Sequence, residues 1–242
     1  MKLRFSYKFF ILIFLAFVFA AILFIFQKPP QVGEAPETIF NPATPDVVLA
    51  DQVLLNVPFT SQAPLADWID PRHQEGCEEA SLLMAWLWIN GQNMTKDEAE
   101  KTIEDMADFE LYTYGNFRDT NAYDTARVMK DYYQYEKTEV KINPTIEDIK
   151  NALRQGKLVL VPVNGQKLNN PNFKRPGPTT HMLVIKGFDN SKNQFITNDP
   201  GTRLGESYIY DYPVVYDAMV DYPTGDHLSQ DDRPKSMIVI SK

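Results

Sequence analysis

The sequence predicts an α+β domain carried behind a membrane anchor. Helical patterns fill most of residues 77 to 156, and β-prone apolar runs dominate from Lys157 onward. Helices first and an antiparallel sheet afterwards is an α+β layout. Ahead of both, Phe9 to Phe26 form an uncharged run of 18 residues, near the length of a bilayer-spanning helix.

The anchor is the first element. A cleavable signal would have a shorter apolar region ending at small residues, but here the run continues past Ala20-Ala21 through Ile22 to Phe26. Lys2, Arg4 and Lys8 precede it, so the positive-inside rule keeps residues 1–8 in the cytoplasm and places the rest outside. The expected organisation is a cytoplasmic N-terminus over 1–8, a single-pass anchor over 9–26, a linker over 27–47 and a globular domain over 48–242. Five prolines between Pro29 and Pro45 make the linker a semi-extended tether.

Composition bounds the function. The chain has 242 residues, 44% hydrophobic and 12% aromatic, with a net charge of −8. The first 28 residues hold four of the 24 basic residues and no acid, so the remainder carries 20 basic against 32 acidic residues, a net of −12. An acidic domain with no basic cluster and no glycine-rich phosphate loop argues against nucleic-acid binding.

Within the domain, "VVLADQVLLNVPF" reads as a first strand. "CEEASLLMAWLWING" reads as a central helix, apolar nearly all round and stopped by Gly91. "MTKDEAEKTIEDMADF" is an amphipathic helix with a capping box of Thr95 and Glu98. A helix over "DTNAYDTARVMKDYYQY", a short strand "TEVKI", a capped helix "PTIEDIKNALRQG" and a buried strand "KLVLVPV" follow. "THMLVIKGF" and "QFITND", separated by "DNSKN", read as an antiparallel hairpin. "SYIYDY" and "SMIVISK" supply further strands.

Cys77 is the only cysteine. Outside the membrane a disulfide is permitted, yet the chain offers no partner. Gly76-Cys77 opens the apolar helix, and a helix N-terminus stabilises a thiolate. Glu78 and Glu79 act against that, so a cationic histidine has to compensate. Of three histidines, His73 and His227 lie in polar loops, whereas His181 opens an apolar strand. If the hairpin turns at Asn190 or Ser191, paired positions sum to roughly 380 and His181 faces the region of Asp199, with Asn198 as the other possible partner. Cysteine, histidine and an orienting Asp or Asn form a constellation for nucleophilic acyl transfer. A helix-borne cysteine followed by a sheet-borne histidine is the papain-like arrangement. An oxyanion donor remains to be found, and Gln62 and Gln74 both qualify by position.

"NVPFTSQAPLADW", "GCEEASLLMAWLW", "THMLVIKGFD" and "FITNDPGT" resemble, in order and spacing, the stand-alone peptidase-like branch of the double-glycine, bacteriocin-processing cysteine peptidases, a papain-like family. The resemblance spans about Val53 to Tyr210. It implies Cys77 as nucleophile, His181 as general base and acid, Asp199 as the histidine's orienter and Gln62 as oxyanion donor. Many members carry Gly-Pro after the nucleophile, where this chain has Glu78-Glu79.

The expected function is a membrane-anchored, extracytoplasmic, bacterial cysteine peptidase acting on a peptide or protein, with no metal or organic cofactor. The competing readings are an amidase or transacylase on the same fold and a catalytically silent peptide-binding module. The loop Lys167 to Thr180 and the aromatic segment "ELYTYGNF" are candidates to line the cleft, with packing as the equal alternative for the aromatic residues.

Overall fold

The computed structural model describes residues 50–225 and 227–242. The expected N-terminus 1–8, anchor 9–26 and linker 27–47 lie outside the described residues. Among the described residues no helix is long and apolar enough to cross a membrane.

In chain order the elements are β1 (Gln52–Leu54), α1 (Pro71–Gln74), α2 (Cys77–Asn90), α3 (Lys96–Tyr114), α4 (Ala122–Tyr133), β2 (Thr138–Ile142), α5 (Ile146–Arg154) and β3 (Leu158–Val163). A 3₁₀ turn (Gly165–Leu168) leads on to β4 (His181–Asp189), β5 (Gln194–Asn198), β6 (Tyr208–Asp211), α6 (Tyr212–Ala218) and β7 (Ser236–Ile240). All strand pairings are antiparallel, in the order β2-β7-β3-β4-β5-β6, with β1 also lying on β4.

Both faces of the central sheet are covered, which is why β3, β4 and β7 are apolar without alternation. Leu158, Leu160, Met182, Val184, Ile238 and Ile240 face Leu82, Met84, Ala85 and Trp88 of α2 and Val128 and Met129 of α4. Their neighbours Val159, Val161, Leu183, Ile185 and Val239 turn the other way, onto Ile149 and Leu153 of α5 and Val215 of α6. Side chains alternate across a strand, so one run of six apolar residues serves two cores. Pro162 is tolerated in β3 because the β3–β7 ladder covers only Leu158 to Leu160.

Helix α2 is the buried mount expected from its composition: eleven of its fourteen residues are buried. Its remaining side packs Ala80, Leu83 and Leu87 against Ala99 and Ile103 of α3. The capping boxes at Thr95 and Thr145 both form. Three expectations change. The first strand is only Gln52–Leu54. Helix α3 runs on to Tyr114, so most of "ELYTYGNF" is helical rather than a cleft loop. Helices α1 and α6, unread in the sequence, are each announced by an Asp N-cap and a proline in the first turn.

Candidate active site

Cys77 is the first residue of α2, and Gly76 is the N-cap. A Cβ at Gly76 would lie 2.6 Å from the Arg72 carbonyl, so the entry to the helix requires glycine. The thiol is buried, in the same apolar cluster as Met182, the residue after His181 in β4.

His181 and Asp199 form a buried pair, with Nε2 2.8 Å from Oδ1. Asp199 is saturated. The Gly201 N–H donates to Oδ1 at 3.0 Å, while the Tyr210 hydroxyl and the Asn170 amide reach Oδ2 at 2.6 and 3.3 Å. Burial works to raise this carboxyl, but the imidazole, the hydroxyl and the Gly201 amide outweigh it and hold it below the ordinary range. The hydrogen bond at Nε2 leaves Nδ1 as the ring nitrogen available for chemistry. Phe173 packs edge-on against the imidazole, with ring centroids 5.4 Å apart.

Cys77, His181, Gln62, Phe173 and Gly201 line one cleft of about 1120 Å³. The 172–180 loop contributes Asn172, Lys174 and Gly177 through Thr180 to the same wall, whereas residues 110–117 do not reach it.

A family model described as Peptidase_C39 like family matches residues 54–223. The chain belongs to that family. A crystal structure of a candidate C39-like peptidase from Bacillus anthracis is similar at 17% identity and a TM-score of 0.46, covering 80% of this chain and 99% of that one. No curated protein matches the chain.

Other residues of this C39-like domain depart from the simplest expectation. Gln62 lies in the cleft with its backbone N–H donating to the Pro200 carbonyl at 2.9 Å. Its amide nitrogen donates to the carbonyls of His73 and Gln74, each at 2.9 Å, so both hydrogens hold the turn that leads into Cys77. Gln74 is tied to the carbonyl of Trp68 at 2.9 Å. Asn198, the alternative partner for His181, instead pins the Val57 and Pro58 carbonyls at 3.2 and 3.0 Å. His73 is fully buried rather than solvated, with Nδ1 2.9 Å from the Asp67 carbonyl. His227 stands at the cleft between Glu75 and Asp119, 3.1 Å from each.

No hydrogen bond joins Cys77 to His181 among the described residues. The thiol donates to Glu78 Oε2 at 2.8 Å, and Glu78 Oε1 accepts from the Tyr222 hydroxyl at 2.8 Å. Burial drives the thiol well above its ordinary range, with the charges of Glu78 and Glu79 adding to it and the Met182 N–H pulling back. Burial also raises Glu78, to about 7, with the nearby Asp119 charge pushing the same way. Glu79 and Glu110 form a second buried acidic pair, both pushed well up by burial and then by neighbouring acids.

Two trios have the composition of metal sites: Asp70, His73 and Glu104, and Glu75, Asp119 and His227. Both already meet protein partners. Arg72 bonds Asp70 at 2.6 Å, and His227 spans its two carboxylates. Tyr210 and Asn170, which fasten Asp199, had no sequence signal; they come from β6 and from the loop after the 3₁₀ turn.

Proposed function

We propose that this protein is a membrane-anchored, extracytoplasmic cysteine peptidase in which Cys77, His181 and Asp199 cleave peptide bonds. The observation that supports it most is the buried His181–Asp199 pair, whose histidine opens on the same cleft as Cys77. The anchor and its outward orientation rest on the 9–26 run and its flanking charges.

The reaction follows from which groups are already engaged. Asp199 fixes Nε2, so Nδ1 takes the Cys77 proton. The sulfur attacks the amide carbonyl carbon, and the C–S bond forms as the carbonyl electron pair moves to oxygen. The Cys77 backbone N–H, at the unpaired amide end of α2, and Gln62 receive that oxyanion. Gln62 releases one of its two carbonyl bonds to do so. Collapse of the intermediate breaks the C–N bond, and Nδ1–H protonates the leaving amine. Water then attacks the thioester, giving one proton to Nδ1 as the acid leaves; that proton returns to the sulfur. The charge on Asp199 keeps the imidazole in the required tautomer throughout.

The test is hydrolysis of a peptide library by the full-length chain, read by mass spectrometry. Cleavage that vanishes in Cys77→Ala supports the reading. No cleavage, or cleavage that survives that change, contradicts it.

A further inference from the structure

The contact between Cys77 and Glu78 is unusual for adjacent helical residues, whose side chains ordinarily diverge. Here it is held from the far side. Tyr222, fully buried, donates to Oε1 of Glu78 and so aims Oε2 at the sulfur. We infer that Glu78 is a second group acting on the nucleophile: ionised, it holds the proton on Cys77, and protonated, its O–H donates to the thiolate. The inference rests on the proposed role of Cys77.

The proton balance is definite. In the resting form Cys77 is a thiol, Glu78 a carboxylate and His181 neutral. A thiolate formed in that state would lie 2.8 Å from a second negative charge inside the protein, where such repulsion is little screened. One added proton removes the conflict. Glu78 then carries it on Oε2 and donates to sulfur, while the thiol proton passes to Nδ1 of His181. The competent form has one proton more than the resting form. Nucleophile reactivity should therefore fall as pH rises through the titration of Glu78.

The groups facing Glu78 come from four parts of the chain. Cys77 and Glu79 lie on its own helix, Glu110 on α3, Asp119 in the loop before α4, and Tyr222 in the segment after α6. Burial and the Asp119 charge favour keeping a proton on the carboxyl, while Cys77 and Tyr222 oppose them by donating to its ionised form.

Because Cys77 is the sole cysteine, alkylation reads it alone. The experiment is the second-order rate of iodoacetamide alkylation of the full-length chain between pH 5 and 9, for wild type, Glu78→Gln and Tyr222→Phe. Wild-type rates should fall between about pH 6 and 8. Glu78→Gln should abolish that fall and react at least about tenfold faster at pH 8, the effect of one unit in thiol pKa. Tyr222→Phe, which removes the donor to the carboxylate, should move the fall to higher pH. A wild-type rate that only rises with pH overturns the inference, as does Glu78→Gln alkylating at or below the wild-type rate at pH 8. If Glu78→Gln fails to fold, Tyr222→Phe decides: no shift, or a shift to lower pH, overturns it. Alkylation needs no substrate, so a chain that cleaves no peptide yet shows this profile loses the peptidase reading and keeps the role of Glu78.

Discussion

Gly201 lies opposite His181. The β4–β5 ladder pairs Val184 with Asn198 and Ile185 with Thr197, and continuing that register brings His181 to Gly201, not to Asp199. A Cβ at Gly201 would stand 2.9 Å from Cε1 of the imidazole and 2.9 Å from the ring of Phe173. The missing side chain lets the imidazole reach diagonally to Asp199. Gly201→Ala should therefore displace the ring without unfolding the sheet. Hydrolysis should fall about 100-fold, the usual consequence of an ångström-scale misplacement, with little change in melting temperature.

Asp199 accepts from four donors, two at each oxygen. An amide there must turn its NH₂ toward groups that are themselves donating. Asp199→Asn should lower kcat/KM by about 10²- to 10⁴-fold, measured on any peptide the wild type cleaves. The same carboxyl has a pH signature. Its folded value lies below the ordinary 3.8, so its stabilising contribution is present above that value and is lost as pH falls through the folded one.

Glu79 and Glu110 give the opposite sign. Their folded values lie well above the ordinary 4.5, so the folded protein keeps a proton that the unfolded chain releases. Stability is fullest below about pH 4.5 and declines as pH rises toward the folded values, by about 1.4 kcal/mol per pH unit for each retained proton. Thermal melts at pH 5, 6.5 and 8 should show falling melting temperatures in wild type. Glu79→Gln should flatten that slope and raise the value at pH 8 by several degrees.

Gln62 joins the loop before Cys77 to the loop after Asp199, through His73, Gln74 and Pro200. With the oxyanion role proposed for it, Gln62→Ala should cost about 10²- to 10³-fold in kcat. The readout is a kcat effect larger than any change in KM.

The legible part of this site lay in local pattern. A cysteine at the mouth of an apolar helix and a histidine opening an apolar strand can be read from residue order alone. The hairpin also brings Asp199 to His181, but with a register two positions from the one expected. A bulge between Ile185 and Gly187 and a four-residue turn account for the offset. What stayed hidden depends on tertiary approach. Tyr210 reaches Asp199 from β6, and Tyr222 reaches Glu78 from 144 residues away. His73 sits in a polar stretch that looks solvated, yet α1 folds it under α3, where Glu104 lies 3.5 Å from its ring. Glu78 reads as a first-turn acid whose charge opposes a thiolate, but the Tyr222 contact that holds it against the thiol is tertiary.

The central claim is that Cys77 owes its nucleophilicity to His181. Alkylation of Cys77 in the full-length chain at pH 6, compared between wild type and His181→Ala, tests it most directly. Rapid labelling in wild type that slows about 100-fold or more in His181→Ala is the predicted result. Slow labelling in both, at similar rates, would contradict it.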